Sequence, residues 1–224
     1  MEQYLVLLLL LQEGVSTAFA GLLVAKKYGK INSYKKLLMD YFHLKQHILF
    51  YLIPIIFLFI IFGSRLIRGQ LKEGIYWLLI QRFFIIAILF GGIEEIGWKY
   101  IFQPLLEKKL SFIASSVITS ILWYIWHIMY FVLDGTLFSL KIDNFIGFLF
   151  GIIGLSFILG CVYNITKSLW LCVFYHAMFN AFSQAFISLS TFGMLLVIIM
   201  SIMISIILVK YKNKILIYVC KNSK

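Results

Sequence analysis

The sequence predicts an all-α, polytopic integral membrane helix bundle of about seven transmembrane helices. Three observations carry that fold class. Of 224 residues, 62% are hydrophobic and only 13% are charged, against about 45–50% and about 25% in soluble domains, and the mean hydropathy is +0.99. The apolar residues are gathered into blocks about as long as a bilayer-spanning helix, roughly 20 residues. The alternating segments of a transmembrane barrel are absent, which leaves the helix as the way to satisfy the backbone in lipid. Soluble, disordered, collagen-like and disulfide-stapled classes are excluded on the same grounds. Cys161, Cys172 and Cys220 are an odd set without zinc-ligand spacing.

Each element follows in chain order. The first apolar run, 4–24, lacks a basic leading segment and is interrupted by Gln12 and Glu13 without a cleavage site, so it reads as a span and not a removable signal peptide. A basic segment comes next, with Lys26, Lys27, Lys30, Lys35, Lys36 and Lys45; within it, residues 33–42 fit an interfacial amphipathic helix or an ordinary loop. Runs at 47–63, 75–100, 112–133, 146–163, 169–188 and 191–209 complete the seven spans. A tail carrying Lys210, Lys212, Lys214, Lys221 and Lys224 ends the chain. The whole of 1–224 reads as one integral membrane domain: 1–74 holds the N-terminal spans and basic loop, 75–188 the core, and 189–224 the last span and basic tail.

The net charge of +11, from 20 Lys+Arg against 9 Asp+Glu, would suggest nucleic acid in a soluble chain. Here most basic residues lie between apolar blocks, so they set topology and the partner is the lipid bilayer. The basic loop and tail are expected inside, and an odd number of spans puts the N-terminus outside. The abundance of Ile, Lys and Phe points to an AT-rich bacterial source, hence a multi-pass protein of a bacterial cytoplasmic membrane with its C-terminus inside. Arg65, Arg68 and Lys72 would then be external. A segment 64–82 lying along the interface would also remove Arg82 from mid-membrane.

Ionisable side chains in the hydrocarbon cost at least about 2.5–3.5 kcal/mol on insertion scales, so those retained mark cavities or pairs. Three groups stand out: Glu94 and Glu95 in GGIEEIGWKY, His127 in ILWYIWHIMYF, and His176 with Asn180 in FYHAMFNAF. Glu94 and His127 lie symmetrically about residues 110–111, just after the polar turn Glu107-Lys108-Lys109, so an antiparallel hairpin sets them at equal depth. His127 lies about 16 Å beyond Ser116, and His176 about 12 Å beyond the 166–168 connection. All three therefore fall in one layer, expected to open towards the cytoplasm. His43 and His47 sit beside the basic loop and read as interfacial.

His176 and Asn180, at i and i+4, share a helix face, so a ring N–H and an amide can converge on one developing oxyanion. Glu94 and Glu95 point about 100° apart. Glu95 and Lys99 are i and i+4 with the acid first, the favourable order for an ion pair, which leaves Glu94 as the general base for a water and His127 to hold that water. One intramembrane His is as readily a helix-to-helix hydrogen bond as chemistry; the joint occurrence at matched depth points to a site. Glu13 and Arg82 read as structural, and Trp98, Trp123, Trp126 and Trp170 as packing and interface anchors.

These motifs resemble the CPBP intramembrane proteases, a family that includes CAAX prenyl endopeptidases and bacterial bacteriocin-processing and immunity-associated members. Its pattern runs EExxxR, FxxxH and HxxxN or HxxxD on successive core helices. The matches are Glu94-Glu95-Ile96-Gly97-Trp98-Lys99, Trp123-Tyr124-Ile125-Trp126-His127 and His176-Ala177-Met178-Phe179-Asn180, within residues 75–188. The resemblance implies that Glu94 and His127 activate water, that His176 and Asn180 stabilise the oxyanion, and that the basic residue at 99 fixes Glu95. Lys99 replaces the family Arg and loses its planar fork; Trp123 replaces Phe and enlarges the aromatic wall. A zinc site from Glu94, His127 and His176 uses permitted ligand types, but no HExxH reinforces it, and the expectation is a glutamic or metallo-type hydrolase with no cofactor favoured.

The leading expectation is therefore an intramembrane endopeptidase acting on a membrane-associated peptide or protein. Serine and aspartyl intramembrane motifs are missing: Gly154-Leu155-Ser156-Phe157 fails GxSG, and Asp134 and Asp143 sit in a loop. The alternative is a non-catalytic membrane partner-binding or bacteriocin-immunity protein on the same fold. A small transporter is disfavoured, because neither duplicated halves nor a pair of broken half-helices is visible.

Overall fold

The computed structural model describes residues 2–27, 29, 33–133 and 135–221. The side chains of 2–14, Glu13 among them, and the residues Lys30, Asp134 and Lys224 lie outside the described residues. The described chain is all-α, a polytopic helical membrane protein in which five helices are long and apolar enough to cross a membrane.

Helix α1 (Glu2–Lys27) ends on Lys26 and Lys27, cations that suit the negative end of the helix dipole. Helix α2 (Tyr34–Tyr41) occupies the amphipathic segment; Ser33 caps it by accepting the Lys36 amide at 3.2 Å. Leu37 and Tyr41 are buried while Tyr34, Leu38 and Met39 are exposed. Helix α3 (Ile48–Ile67) starts on His47, whose Nδ1 accepts the Leu49 amide. Helix α4 (Trp77–Phe90) starts later than the apolar run suggests, and Arg82 sits exposed near its start, where a long side chain can reach the interface.

The predicted span 75–100 is not one helix. After α4 the chain forms a 3₁₀ turn (Gly92–Glu94), a π-helix (Ile96–Phe102) and the short α5 (Gln103–Leu106). Paired glycines at 91 and 92 weaken a regular helix at that point, and both 3₁₀ and π turns tend to mark functional sites within helices. Helix α6 (Phe112–Leu133) has the predicted boundaries. Helix α7 (Ile142–Thr166) is longer than expected at both ends, and α8 (Leu169–Ala185) is capped by Ser168. At 17 residues α8 is about 26 Å long, and its first half is buried all round, as befits a central helix. Helix α9 (Thr191–Lys210) follows, and the expected tail is itself helical, α10 (Lys212–Lys221).

Helix α8 packs against α4, α3, α7 and α2, α9 leans on α7, and α1 lies against the broken segment after α4. Side chains tie the connections into two ends. Lys212 Nζ donates to Asn164 Oδ1 at 2.9 Å, Asn164 Nδ2 donates to Glu107 Oε2 at 2.7 Å, and Tyr100 donates to Asp40 at 2.7 Å. The α1–α3, α5–α6 and α7–α8 connections and α10 thus share the basic end. At the opposite end Leu71 and Phe186 form an antiparallel bridge. There Arg65 donates to the Ile187 and Ile61 carbonyls, and Lys72 Nζ to the Ser183 carbonyl. Two cations of the loop that resisted the charge rule are therefore spent on carbonyls around the C-terminal end of α8, where the helix dipole favours them.

Candidate active site

The broken segment aims its two carboxylates at different helices. Glu94 and Glu95 are 5% and 0% exposed. Glu94 Oε2 accepts the Trp123 indole N–H from α6 at 2.8 Å, and Glu95 Oε1 meets His176 Nδ1 of α8 at 2.7 Å. The angular separation of adjacent residues is what lets neighbours in sequence serve two faces. Small residues bring α1 against the break: a Cβ at Gly97 would lie 2.6 Å from the Thr17 carbonyl oxygen, and one at Gly21 would lie 2.9 Å from Gly97 Cα. Tyr41 donates to the Ile88 carbonyl before the break, and Tyr100 to Asp40 after it, so adjacent residues of α2 pin both flanks.

The expected pair of Glu95 with Lys99 does not form; Lys99, wholly buried, donates instead to Gln103 Oε1 at 2.7 Å, Ser156 Oγ at 2.9 Å and Ser156 O at 3.0 Å. The i to i+4 rule presumes 3.6 residues per turn, and the chain here is π-helical with a wider turn. Gln103 passes the ladder on, donating to Ser116 Oγ at 3.0 Å and Glu107 Oε1 at 3.1 Å.

His127 Nδ1 lies 2.9 Å from the Trp123 carbonyl. A carbonyl only accepts, so Nδ1 carries the proton in that contact and Nε2 is the acceptor of the neutral ring. A Cβ at Gly91 would lie 2.5 Å from Asn180 Nδ2 and 3.4 Å from His176 Nε2, so both nitrogens converge on the glycine that precedes the carboxylates.

Glu94, His127, His176 and Asn180 line a single cavity of about 950 Å³ together with Trp123. Glu95 stands behind His176 and outside that lining. The cavity lining extends to Asp143, Asn144, Ser188 and Thr191, at the end opposite the basic loops, while Lys99, Gln103, Ser116 and Ser156 are buried on the basic side. Spacing pointed to one layer, and Glu94, His127 and His176 line one cavity; the buried polar side chains on the basic side carried no such signal. Trp123, read as packing, is a hydrogen-bond donor to Glu94, and the signal for it was an indole N–H one helical turn before His127. Among the described residues no group of three His, Cys, Asp or Glu side chains is arranged to hold a metal ion.

Residues 75–182 match the sequence model of a family described as Type II CAAX prenyl endopeptidase Rce1-like. The matched stretch runs from just before α4 into α8 and contains every residue named above as lining the site except Ser188 and Thr191. Helices α1 to α3, α9 and α10 fall outside it. Comparison with curated proteins finds no match.

Proposed function

We propose, for a chain whose residues 75–182 are an Rce1-like type II CAAX prenyl endopeptidase (CPBP) family domain, that it is an intramembrane endopeptidase hydrolysing a peptide bond in a membrane-associated peptide or protein. Family membership makes it a member of an intramembrane protease family. The observation that carries the finer reading is that Glu94, His127, His176 and Asn180, from separate helical segments, line one cavity.

The roles follow from the contacts. Glu94, oriented by the Trp123 N–H, takes a proton from water as general base, while His127 Nε2 accepts the other water hydrogen and fixes its lone pair. The water oxygen bonds to the scissile carbonyl carbon, and the carbonyl π electrons move onto oxygen. Glu95 holds Nδ1–H of His176 and offsets the charge of an imidazolium, whose Nε2–H donates with the Asn180 amide to that oxyanion. Collapse breaks the C–N bond, and the leaving nitrogen recovers the proton from Glu94, giving a carboxylic acid and an amine, which end as carboxylate and ammonium once the acid's proton passes to the amine. Glu95 is thus a positioning residue, although its motif placed it beside the reacting groups.

The basic end faces the cytoplasm on this reading, with the C-terminus inside a bacterial cytoplasmic membrane. Fitting substrates are a peptide signal, a bacteriocin leader or a membrane regulator. The test compares the membrane peptidomes of cells carrying the native chain and Glu94→Gln. Fragments present with the first and missing with the second name substrate and bond; identical peptidomes would overturn the peptidase reading and favour a non-catalytic binding protein.

A further inference from the structure

We infer that a second cavity, between α3, α7, α8 and α9, binds an anionic amphiphile: an alkyl chain with a carboxylate or phosphate head, the head on Arg65 and the alkyl chain along the apolar walls. The inference does not rest on the peptidase reading, and this ligand is not the cleaved substrate.

The cavity measures about 190 Å³. It adjoins the larger one and shares Gly151, Leu155, Phe179 and Met194 with it, but none of Glu94, His127, His176 and Asn180 lines it. Its charged lining is Arg65 alone, a side chain only 7% exposed. The guanidinium has five N–H donors. Nη1 donates to the Ile187 carbonyl and Nη2 to the Ile61 carbonyl, while the buried Nε has no hydrogen-bond partner. Among the described residues no carboxylate forms a salt bridge with it, and Glu73, the acid nearest in sequence, is exposed. Two neutral carbonyls and the Phe62 ring, 4.6 Å from the guanidinium carbon, fix the group in place without cancelling its charge. A cation is kept in a membrane interior where it pairs or lines a cavity; this one lines a cavity and has no acid. A carboxylate or phosphate complements a planar guanidinium with directed, charge-assisted bonds.

The other walls specify the rest of the ligand. Ile158, Val197 and Ile198 are apolar, and a Cβ at Gly151 would meet nothing within 4 Å, so the space beside it is open. Along α9 the lining runs from Met194 to Ser201, roughly 10 Å. Apolar cavities of this size stay dry and take hydrocarbon. Ser201 Oγ, buried in the same lining, is a second polar atom without a partner. A bare inorganic anion would leave the apolar walls unused, and a neutral hydrocarbon would leave both polar groups unmet.

The experiment is native mass spectrometry of the full chain, with thermal unfolding as the check on folding. One arm compares decanoate, below its micellar concentration, with decanol; the other compares release from phosphatidylglycerol and from phosphatidylcholine nanodiscs. At least one anionic ligand should be retained about tenfold or more over its neutral counterpart, and the arm that retains it identifies a free acid or a phospholipid as the source. Arg65→Gln removes the charge, and Val197→Trp fills the apolar space while leaving both carbonyl bonds of Arg65; each should cut retention about tenfold. Equal retention of charged and neutral forms, no retention in either arm, or retention unchanged in either folded variant would overturn the inference. Should Arg65→Gln fail to fold, the charge preference of the native chain judges the head and Val197→Trp judges the alkyl chain.

Discussion

Trp123 shows how much one side-chain atom can carry in a membrane interior. Its indole N–H donates to Glu94 Oε2, its carbonyl accepts from His127, and its ring lies 5.5 Å from that of His176. One residue therefore touches three of the groups assigned to chemistry. Trp123→Phe keeps an aromatic ring and removes only the donor. A hydrogen bond to a charged group is worth about 1.5–3 kcal/mol, so the cleavage rate of the fragment found in the peptidome should fall about tenfold or more, with membrane insertion unaltered. An unchanged rate would deny Trp123 a positioning role. The residues that line the cavity stood out at this scale because an acid or imidazole within an apolar run is costly wherever it is not used. The partner of Glu95 was not, since the sequence does not announce that Ile96–Phe102 winds as a π-helix. Lys99 is the consequence: chemically suited to Glu95 by spacing, it bonds to Gln103 and Ser156.

At the scale of elements, the break between α4 and α5 organises the site. A regular helix would continue through Gly91 and carry both carboxylates along one spiral; the 3₁₀ and π turns instead give Glu94 to α6 and Glu95 to α8. Gly91 is the position where this break admits α8. Gly91→Ala would place a methyl 2.5 Å from Asn180 Nδ2 and 3.4 Å from His176 Nε2, closer than the amide can tolerate without moving. Loss of cleavage with normal insertion and expression is the expected outcome, read from fragment yield and protein level in membranes; normal cleavage would show that Asn180 can vacate its place freely. The Gly-Gly pair was the visible sequence signal for this irregularity, yet hydrophobicity alone ran the span on to residue 100. Where the apolar run and the helix were the same object, as in α6, the boundaries matched. The helix α10 was missed because alternating Lys and apolar residues also describe a solvated tail.

Across the whole molecule, a chain of polar side chains runs from the basic surface inward to Lys99, whose Nζ lies 5.7 Å from the centre of the Trp123 ring. Lys212 bonds to Asn164, Asn164 to Glu107, Glu107 to Gln103, and Gln103 to Lys99. The hairpin arithmetic, which needs only the rise per residue, brought Glu94 and His127 to one level, and both line the same cavity. It could not find the polar ladder, which depends on how α6, α7 and the π-helix share their small polar residues. Ser116 and Ser156 are unremarkable in sequence and become part of the buried ladder only when packed against Lys99 and Gln103. The outermost rung has a separable job. Asn164 is the link between Lys212 on α10 and Glu107 at the α5–α6 turn, far from Glu94 along the helices. Asn164→Leu removes both bonds and should release α10 from the basic end. Trypsin applied to the membrane face that bears α10 should then cut at Lys212 and Lys214 faster than in the native chain, while fragment yield from the substrate stays the same, because Lys99, Gln103 and Ser156 keep their own bonds. Faster proteolysis accompanied by lost cleavage would instead mean that the ladder acts as one unit from the tail to the site. An unchanged tryptic pattern would mean that α10 is held by apolar contacts such as buried Val219 and that the polar rung contributes little.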